Sequence, residues 1–329
     1  MSKFTLIALC LFSVCVIGLA GCSMESEAVE ETDRIAVDHP GKSDAGGKIL
    51  EERKPVVVSV IHPVTGELVK SLSPDEMGFG RDDAKYRKEL QRLARELARG
   101  DGETPGFDTR LIPDKLGTDG KVIKGSPMTI LEEKEFVEKV LEASLRGGEV
   151  ELPLYITASG YKTEDAAHLA EQVVAKYTTY FNPSVAGRTK NIELSAEAIN
   201  NVILGVGDYF SFNTTVGPSD AAHGYQPAEE IVNKKLVMGI GGGICQTSST
   251  LYNAVDALGV GYIEKHHHSL TVGYVPKGRD ATVSYGGKDF RFENTTGVPL
   301  LLKAIVGKGT LTVEVRTSRA YAAIIKKGV

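Results

Sequence analysis

A run of glycines leads directly into an amphipathic helix in the segment GIGGGICQTSSTLYNAVDALG, and this junction restricts both the fold and the chemistry of the chain. Gly241–Gly243 permit backbone angles closed to other residues and allow a ligand to approach the main chain closely. The apolar residues that follow are spaced for one buried helical face: Ile244, Leu251, Val255 and Leu258. Gly259 is placed to end the helix. Cys245 is therefore predicted in the first helical turn, where unpaired N–H groups and the helix dipole stabilise a thiolate or an oxyanion.

The N-terminal residues predict the compartment. Lys3 precedes an uncharged apolar run that ends in Leu19-Ala20-Gly21-Cys22, with small residues directly before a cysteine. This pattern is typical of a bacterial lipoprotein signal peptide, residues 1–21, that is removed to leave Cys22 as the lipid-modified N-terminus. A plain secretory signal cleaved nearby is the alternative. Either leader predicts an extracytoplasmic protein, and the lipoprotein leader predicts membrane attachment through the lipid on Cys22.

Processing at Cys22 leaves a single unmodified thiol. Cys10 and Cys15 leave with the leader, so the mature chain keeps Cys245 and cannot form an intramolecular disulfide. The full chain has 38 basic and 43 acidic residues, a formal charge of −5, and loss of Lys3 makes it −6. This mildly acidic balance excludes the basic footprint of a nucleic-acid-binding protein. No later segment supplies the roughly 20 apolar residues of a membrane-spanning helix.

The pattern of apolar residues predicts an α+β fold with two domains. Residues 22–54 are polar and acidic, which predicts a disordered tether. Residues 55–176 form the first predicted domain. In it, VVVSVI and ELVKSL flank a turn as a β-hairpin, helices follow over DDAKYRKELQRLARELAR and MTILEEKEFVEKVLEASLR, EVELPLYI is a strand, and residues 165–180 form a connecting helix.

The second predicted domain covers residues 177–318 and is followed by a C-terminal tail at 319–329. A helix over residues 192–204 precedes the Cys245 helix. The segments predicted as strands come after that helix: LTVGYV, ATVSY, DFRFEN, PLLLKAIV and TLTVEVR. The last two are joined by a tight turn at Gly307-Lys308-Gly309. This domain is therefore predicted to be a largely antiparallel sheet packed on the Cys-bearing helix.

Several of these segments resemble the VanW family. The segments are NIELSAEAINN, GDYFSFNTTVGP, GIGGGICQTSSTLYNA and HHHSLTVGYVPKGRDATVSYGGKDFRFENTTGVPLLL, in order over roughly residues 178–316. Residues 55–160, through GTDGKVIK and VELPLYI, resemble more weakly the peptidoglycan-binding-like domain that often precedes a VanW domain in Gram-positive envelope proteins. The resemblance implies a cell-wall setting, with peptidoglycan or muropeptides as partners. The family pattern has His-Asn-His-Ser where this chain has His266-His267-His268-Ser269.

The order of the chemical groups predicts a thiol site. A helix-borne cysteine, then a strand-borne histidine, then an acidic residue is the order found in papain-like and transglutaminase-like enzymes, a likeness at the level of the fold. Cys245 is the candidate nucleophile and His268 or His266 the candidate base, because these two histidines share one face if the segment is a strand. Asp280 or Asp289 is the candidate residue that orients the base.

Two functions and one metal alternative stay open at this stage. The candidate substrate and oxyanion contacts are Gly242, Gly243, Gln246, Ser248, Tyr252, Asn253 and Arg279. The leading hypothesis is a protein that binds, and by a Cys/His mechanism hydrolyses or transfers, amides of peptidoglycan stem peptides. The alternative is a non-catalytic wall-binding or scaffold lipoprotein with a buried structural Cys245. No cofactor is expected; zinc held by Cys245, His266 and His268, with His223 as a further ligand, is the minor alternative.

Overall fold

The computed structural model describes residues 55–232 and 234–325. The predicted signal peptide (1–21), the lipidated Cys22 and the acidic tether (22–54) lie outside the described residues. Within the described ranges, no helix combines the length and the apolar character needed to cross a membrane.

The N-terminal part combines short sheets with two longer helices. Its elements are β1 (Val58–Ile61), β2 (Leu68–Leu72), α1 (Pro74–Met77), α2 (Asp83–Arg99), β3 (Lys115–Leu116), β4 (Val122–Ile123), β5 (Met128–Leu131), α3 (Glu133–Ala143), β6 (Gly148–Glu151) and β7 (Leu154–Thr157). β1 pairs with β2 as the predicted hairpin and runs parallel to β6 on its other side. The Asp82 side chain caps α2 by accepting from the Lys85 N–H, and α2 buries Tyr86 and Leu90 against α3 and the sheet.

The C-terminal part contains the antiparallel sheet that carries the thiol helix. Its elements are β8 (Gln172–Tyr180), α4 (Ala186–Ile199), β9 (Ile203–Leu204), β10 (Tyr209–Ser211), α5 (Phe212–Val216), β11 (Pro227–Val232), β12 (Lys235–Ile240), α6 (Ile244–Asp256), β13 (Gly261–Glu264), β14 (Arg291–Glu293), β15 (Leu300–Gly307), β16 (Thr310–Thr317) and α7 (Arg319–Ile325). The largest sheet has the order β8-β16-β15-β9, and α6 packs on β8 and β16 beside α4. The α+β prediction, with an antiparallel sheet on the Cys-bearing helix, is confirmed.

Several secondary-structure predictions are wrong. MTIL, predicted as the start of a helix, is strand β5, and the helix predicted over residues 192–204 is α4, which ends at Ile199 before strand β9. The helix predicted over residues 165–180 is a short 3-10 helix, Thr163–His168, followed by strand β8. β8 is rich in β-branched residues and pairs along its length with β16, so the sheet overrides the helical pattern. LTVGYV and ATVSY are not strands either, because residues 265–290 contain no regular element. This segment, the 265–290 loop, is instead held to α6 by side-chain hydrogen bonds.

The sequence predicts a single buried face for α6. In the structure this helix is buried on almost every side. The buried residues are Ile244 and all those from Gln246 to Val255. The sheet covers one side and the 265–290 loop the other, so the polar side chains must find partners inside the protein. Thr247 Oγ1 lies 2.7 Å from Ser195 Oγ, and Thr250 Oγ1 lies 2.8 Å from Thr179 Oγ1. These bonds fix α6 rigidly beneath the site.

The described residues after Lys54 belong to one compact unit. One hydrophobic core lies among residues 58–154 and the largest lies among residues 199–325, with a small cluster formed from both parts between them. The boundary predicted after residue 176 falls inside β8, which is continuous through that position. In the predicted tail, α7 buries Ala322 and Ile325.

Candidate functional site

The turn before α6 accepts only glycine at its centre. Gly241 and Gly243 have φ of +98° and +117°, in the left-handed region. A Cβ on Gly242 would lie 2.5 Å from the Glu229 carbonyl oxygen and 2.7 Å from that of Ala228, on the neighbouring strand β11. The turn therefore packs against the backbone of β11, and it delivers Cys245 as the second residue of α6.

Substitution of Gly242 by alanine is expected to disturb the site more than the fold elsewhere. The added methyl group must push β11 away from the turn, which moves the start of α6; we expect a loss of stability of about 1–3 kcal/mol and slower alkylation of Cys245. Thermal unfolding and iodoacetamide kinetics measure both effects. Gly273→Ala is the matched control, since a Cβ there meets nothing within 4 Å. Equal behaviour of the two variants would contradict the packing argument.

Cys245, His268 and Asp280 form a connected chain of side chains. Nδ1 of His268 lies 2.8 Å from Asp280 Oδ2, and the His268 backbone N–H donates to the same oxygen at 2.7 Å. The Cys245 sulfur lies 3.4 Å from the Val283 carbonyl oxygen and 3.6 Å from Thr282 Oγ1, and Cys245 and His268 shift each other's pKa. Because Nδ1 is engaged by Asp280, Nε2 is the ring nitrogen left free to act on the thiol. The arrangement is that of a nucleophile, a base and an orienting carboxylate.

The electrostatics of this chain favour a charged pair. Burial raises the pKa of the Cys245 thiol, but the hydrogen bond and the positive charge of His268 outweigh it and leave that pKa below its ordinary value. Burial lowers the pKa of His268, yet Cys245 and then Asp280 raise it overall. Burial also opposes ionisation of Asp280, while bonds from His268 and His267 bring its pKa down to about 2. These opposite shifts favour formation of a thiolate beside an imidazolium.

A cavity of about 790 Å³ opens over the sulfur. Cys245 and His268 line one wall, and Ile231, Leu236 and Ile240 of the β11–β12 hairpin line another. The cavity is large enough for several residues of a peptide, within the range of small-molecule sites. Its mouth is bordered by a hairpin whose strands pair only with each other among the described strands.

The structure separates the remaining candidate acid and base residues from Cys245. Nε2 of His266 lies 2.9 Å from Glu264 Oε1, and Nδ1 of His267 contacts Asp280 Oδ1 at 2.8 Å. His266 and His268 do not share a strand face, because this segment is a loop. Asp289 accepts hydrogen bonds from Ser211 Oγ and the Asn213 N–H, away from the thiol. His268 and Asp280 are thus the pair that the fold brings to Cys245.

The predicted zinc ligands are likewise not assembled. Throughout residues 55–232 and 234–325 there is no group of three His, Cys, Asp or Glu side chains arranged to hold a metal ion. His223 bonds Asp220 at 2.7 Å on an exposed 3-10 turn.

Gln246 and Ser248 have structural partners. The Gln246 N–H donates to the Gly243 carbonyl at 2.9 Å and its amide donates to Thr179 Oγ1 at 3.0 Å, so the predicted oxyanion donor is already occupied. Ser248 Oγ donates to the Ala281 carbonyl. Of the first-turn groups, the N–H of Cys245 itself precedes any intrahelical acceptor and is the better oxyanion donor.

Tyr252, Asn253 and Arg279 hold the 265–290 loop on the far side of α6 and do not line the cavity. Asn253 Nδ2 donates to the Arg279 carbonyl at 2.8 Å, and the Arg279 guanidinium donates to Asp256 at 2.6 Å. The same guanidinium stacks over the Tyr252 ring at 5.0 Å. In the structure these three residues are bonded to one another and to the backbone of the loop, and a contact with substrate stays a prediction.

Comparison with known proteins identifies the family. The family model described as "VanW like protein" matches residues 187–316. The uncharacterized protein YoaR of Bacillus subtilis is 36% identical over 248 residues, which are 75% of this chain and 78% of the relative. The chain belongs to the VanW family. The vancomycin B-type resistance protein VanW of Enterococcus faecalis is 31% identical to it over 111 residues, 32% of this chain and 40% of the relative. No solved structure matches it significantly.

The segment matched by the VanW model contains the whole thiol site. Cys245, His268 and Asp280 fall within residues 187–316, as do the glycine turn and the β11–β12 hairpin. Two further cavity residues of this VanW-family protein escape sequence reasoning: Arg188, on α4, and Tyr274, in the 265–290 loop. Neither lies in a motif with a chemical signature, so only the fold reveals them.

Proposed function

We propose that this VanW-family protein is a thiol enzyme that hydrolyses or transfers an amide in peptidoglycan stem peptides. The observation that carries the proposal is the Cys245–His268–Asp280 chain at the floor of an open cavity. A cell-wall substrate is supported by the relative named as a vancomycin resistance protein and by the resemblance of residues 55–160 to a peptidoglycan-binding-like domain. Against a purely structural cysteine, Cys245 is partly exposed and lines the cavity.

In the proposed mechanism the Cys245 thiolate attacks the carbonyl carbon of the amide, forming a C–S bond. The Cys245 N–H stabilises the resulting oxyanion. His268 gives its Nε2 proton to the leaving nitrogen as the C–N bond breaks, which leaves a thioester on Cys245. Water or an acceptor amine, deprotonated by His268, then attacks the thioester, the C–S bond breaks, and the thiolate–imidazolium pair returns. Asp280 holds the imidazole so that Nε2 faces the reacting atoms.

The decisive experiment compares the peptidoglycan products of full-length protein and variants. Purified peptidoglycan is incubated with native protein, Cys245→Ala or Cys22→Ala, and the muropeptides are separated by mass spectrometry. We expect new or lost stem-peptide species with the native protein and with Cys22→Ala, and none with Cys245→Ala. Identical profiles for native protein and Cys245→Ala would contradict catalysis. Binding of both to the wall sacculus would then support the non-catalytic alternative.

We further propose that Cys22 carries a lipid that anchors the protein outside the cytoplasmic membrane, with residues 55–160 contributing wall binding. The support is the residue pattern Leu19-Ala20-Gly21-Cys22 behind an uncharged apolar run. An anchored enzyme of this kind acts on wall material close to the membrane.

Loss of Cys22 is expected to abolish lipid attachment, because lipidation requires that thiol. Cells expressing Cys22→Ala and fed a labelled fatty acid are expected to show no label on this protein, while the native protein is labelled. Cys15→Ala, inside the apolar run, is the matched control and keeps the label. Label on Cys22→Ala, or none on native protein, would contradict the anchor.

A further inference from the structure

Arg188 places a guanidinium in the cavity that Cys245 also lines, and no acidic side chain among the described residues pairs with it. Its Nη2 donates to Gln246 Oε1 at 2.7 Å, and Gln246 is the residue directly after Cys245. Its Cγ packs 3.1 Å from the position a Cβ would take on Gly243. The side chain is partly buried and lines the cavity. The positive charge is therefore held in the cavity that Cys245 also lines.

The described partners of Arg188 are neutral. Besides Gln246, the guanidinium lies over the Tyr274 ring, 5.9 Å from its centroid. No Asp or Glu among the described residues forms a salt bridge with it, unlike the arginine of the Arg279–Asp256 pair nearby. Most of the N–H donors of its guanidinium thus have no described acceptor. These remaining donors are therefore available to an anion that enters the cavity.

The two glutamates that line the cavity, Glu229 and Glu230, lie on the β11–β12 hairpin. Glu230 folds over Gly239 on the partner strand, where its Oε1 lies 1.9 Å from the position of an added Cβ. Glu229 is exposed on β11. Neither forms a described salt bridge with Arg188, although all three residues line the cavity.

A second donor in the same cavity also has no partner. The Tyr274 hydroxyl is buried and makes no hydrogen bond within the described part of the chain. Burial and the negative charge of Cys245 raise the pKa of Tyr274, so the hydroxyl keeps its proton and acts as a donor. The donors left over on Arg188 and the Tyr274 hydroxyl point to a ligand group that only accepts hydrogen bonds, and a carboxylate is the group that a guanidinium pairs with best.

We propose that Arg188 binds a free carboxylate of the substrate next to the scissile amide. The inference rests on the function proposed above and narrows it, since the substrate class becomes a peptide with an ionised carboxylate adjacent to the reacting carbonyl. An internal amide of a capped or amidated peptide lacks this group and leaves the guanidinium and the Tyr274 hydroxyl unpaired. Arg188 is a specificity-determining residue, and Cys245 and His268 remain the catalytic ones.

A pair of thiol reagents tests the charge without requiring catalysis. Iodoacetate carries a carboxylate next to the reacting carbon and iodoacetamide has a neutral amide in its place. Pseudo-first-order rates for Cys245 in the native full-length protein give a ratio of iodoacetate to iodoacetamide. We expect Arg188→Gln to lower this ratio about tenfold and Arg188→Lys to retain most of it, because the charge is what attracts the anion. The iodoacetamide rate of each variant reports whether the thiolate is intact.

Lys288→Gln is the matched control, because Lys288 is an exposed cation that lines the same cavity. It is expected to leave the ratio within about twofold, since exposed charges are screened by solvent and salt. An unchanged ratio in Arg188→Gln, or an equal fall in Lys288→Gln, would overturn the assignment of the anion site to Arg188.

Matched substrates then separate this inference from the proposed function. Stem peptides with a free terminal carboxylate and their carboxamides are compared by kcat/KM. The native protein is expected to favour the carboxylate by about 100-fold, and Arg188→Gln to remove that preference with little change on the carboxamides. Turnover without carboxylate preference would refute the role of Arg188 and leave the thiol enzyme standing. No turnover with the reagent ratio intact would refute the enzyme and leave the anion site standing.

Discussion

His268→Gln is expected to slow the alkylation of Cys245 by about tenfold or more near pH 6.5. In the native protein the hydrogen bond and charge of His268 lower the pKa of the thiol against the opposing effect of burial. Without the imidazolium, burial dominates and the pKa rises above its ordinary value, so the thiolate fraction falls tenfold for each unit gained. The same substitution removes the proton carrier and is expected to abolish turnover of stem peptides.

The pH dependence of the alkylation rate distinguishes this explanation from a general disturbance. The alkylation rate of the native protein is expected to stay high at a lower pH than that of an ordinary thiol. It is expected to fall only when the Cys245–His268 pair takes up a further proton. The rate of the His268→Gln variant is expected to rise only at alkaline pH. His267→Gln is the matched control, because His267 also bonds Asp280 but its side chain is 51% exposed and it makes no described contact with Cys245. Coincident pH profiles for native protein and His268→Gln would refute the ion pair.

Local signals explain which parts of the fold could be predicted. The hairpin of β15 and β16 and the amphipathic helix α2 follow from turn residues and from a strong periodic pattern, and both are confirmed. The segment 165–180 was predicted as a helix because its spacing fits one. Its strand arises from pairing with β16, more than a hundred residues later, and such long-range pairing is invisible in a local window.

The 265–290 loop shows a second limit of sequence patterns. In LTVGYV and ATVSY, residues of different polarity alternate as they do in strands. The side of α6 that faces this loop, however, carries polar side chains whose hydrogen bonds a paired strand would leave unsatisfied. Ser249 Oγ accepts from the Ala281 N–H at 2.9 Å, and Asn253 bonds the Arg279 carbonyl. Hydroxyl and amide groups of α6, among them the predicted substrate contacts Ser248 and Asn253, therefore fix the backbone of this loop.

The site itself was only partly predictable. The sequence correctly predicts Cys245 at the start of a helix and gives Asp280 as one of two candidate orienting acids. It does not decide between His266 and His268, because it places both on one face of a strand that does not form. A loop backbone directs His268 toward the thiol while its own N–H bonds Asp280. Arg188 could not be found at all, since its role depends on α4 packing beside α6.

Asp280→Asn is expected to cost both stability and activation of the thiol. Asp280 accepts from the His268 N–H, from His268 Nδ1 and from His267 Nδ1, and its side chain is 10% exposed. Its pKa in the folded protein, about 2, lies below the ordinary value of 3.8, so its ionised form stabilises the fold above pH 3.8 and the contribution is lost as pH falls through about 2. The shift corresponds to about 2 kcal/mol at neutral pH. The deficit of Asp280→Asn in free energy of unfolding is therefore expected to be full at pH 7 and to shrink toward pH 2.

The effect of Asp280→Asn on chemistry separates an orienting role from a merely structural one. An amide at this position does not hold the His268 ring in the tautomer that carries its proton on Nδ1. Nε2 is then not kept free to accept the thiol proton, and turnover is expected to fall about 100-fold or more. Asp289→Asn is the matched control, because Asp289 is 2% exposed and accepts hydrogen bonds from Ser211 and Asn213. It is expected to lower the unfolding free energy while leaving the alkylation profile of Cys245 unchanged. If both variants slow Cys245 equally, loosened packing and not the carboxylate beside His268 activates the thiol.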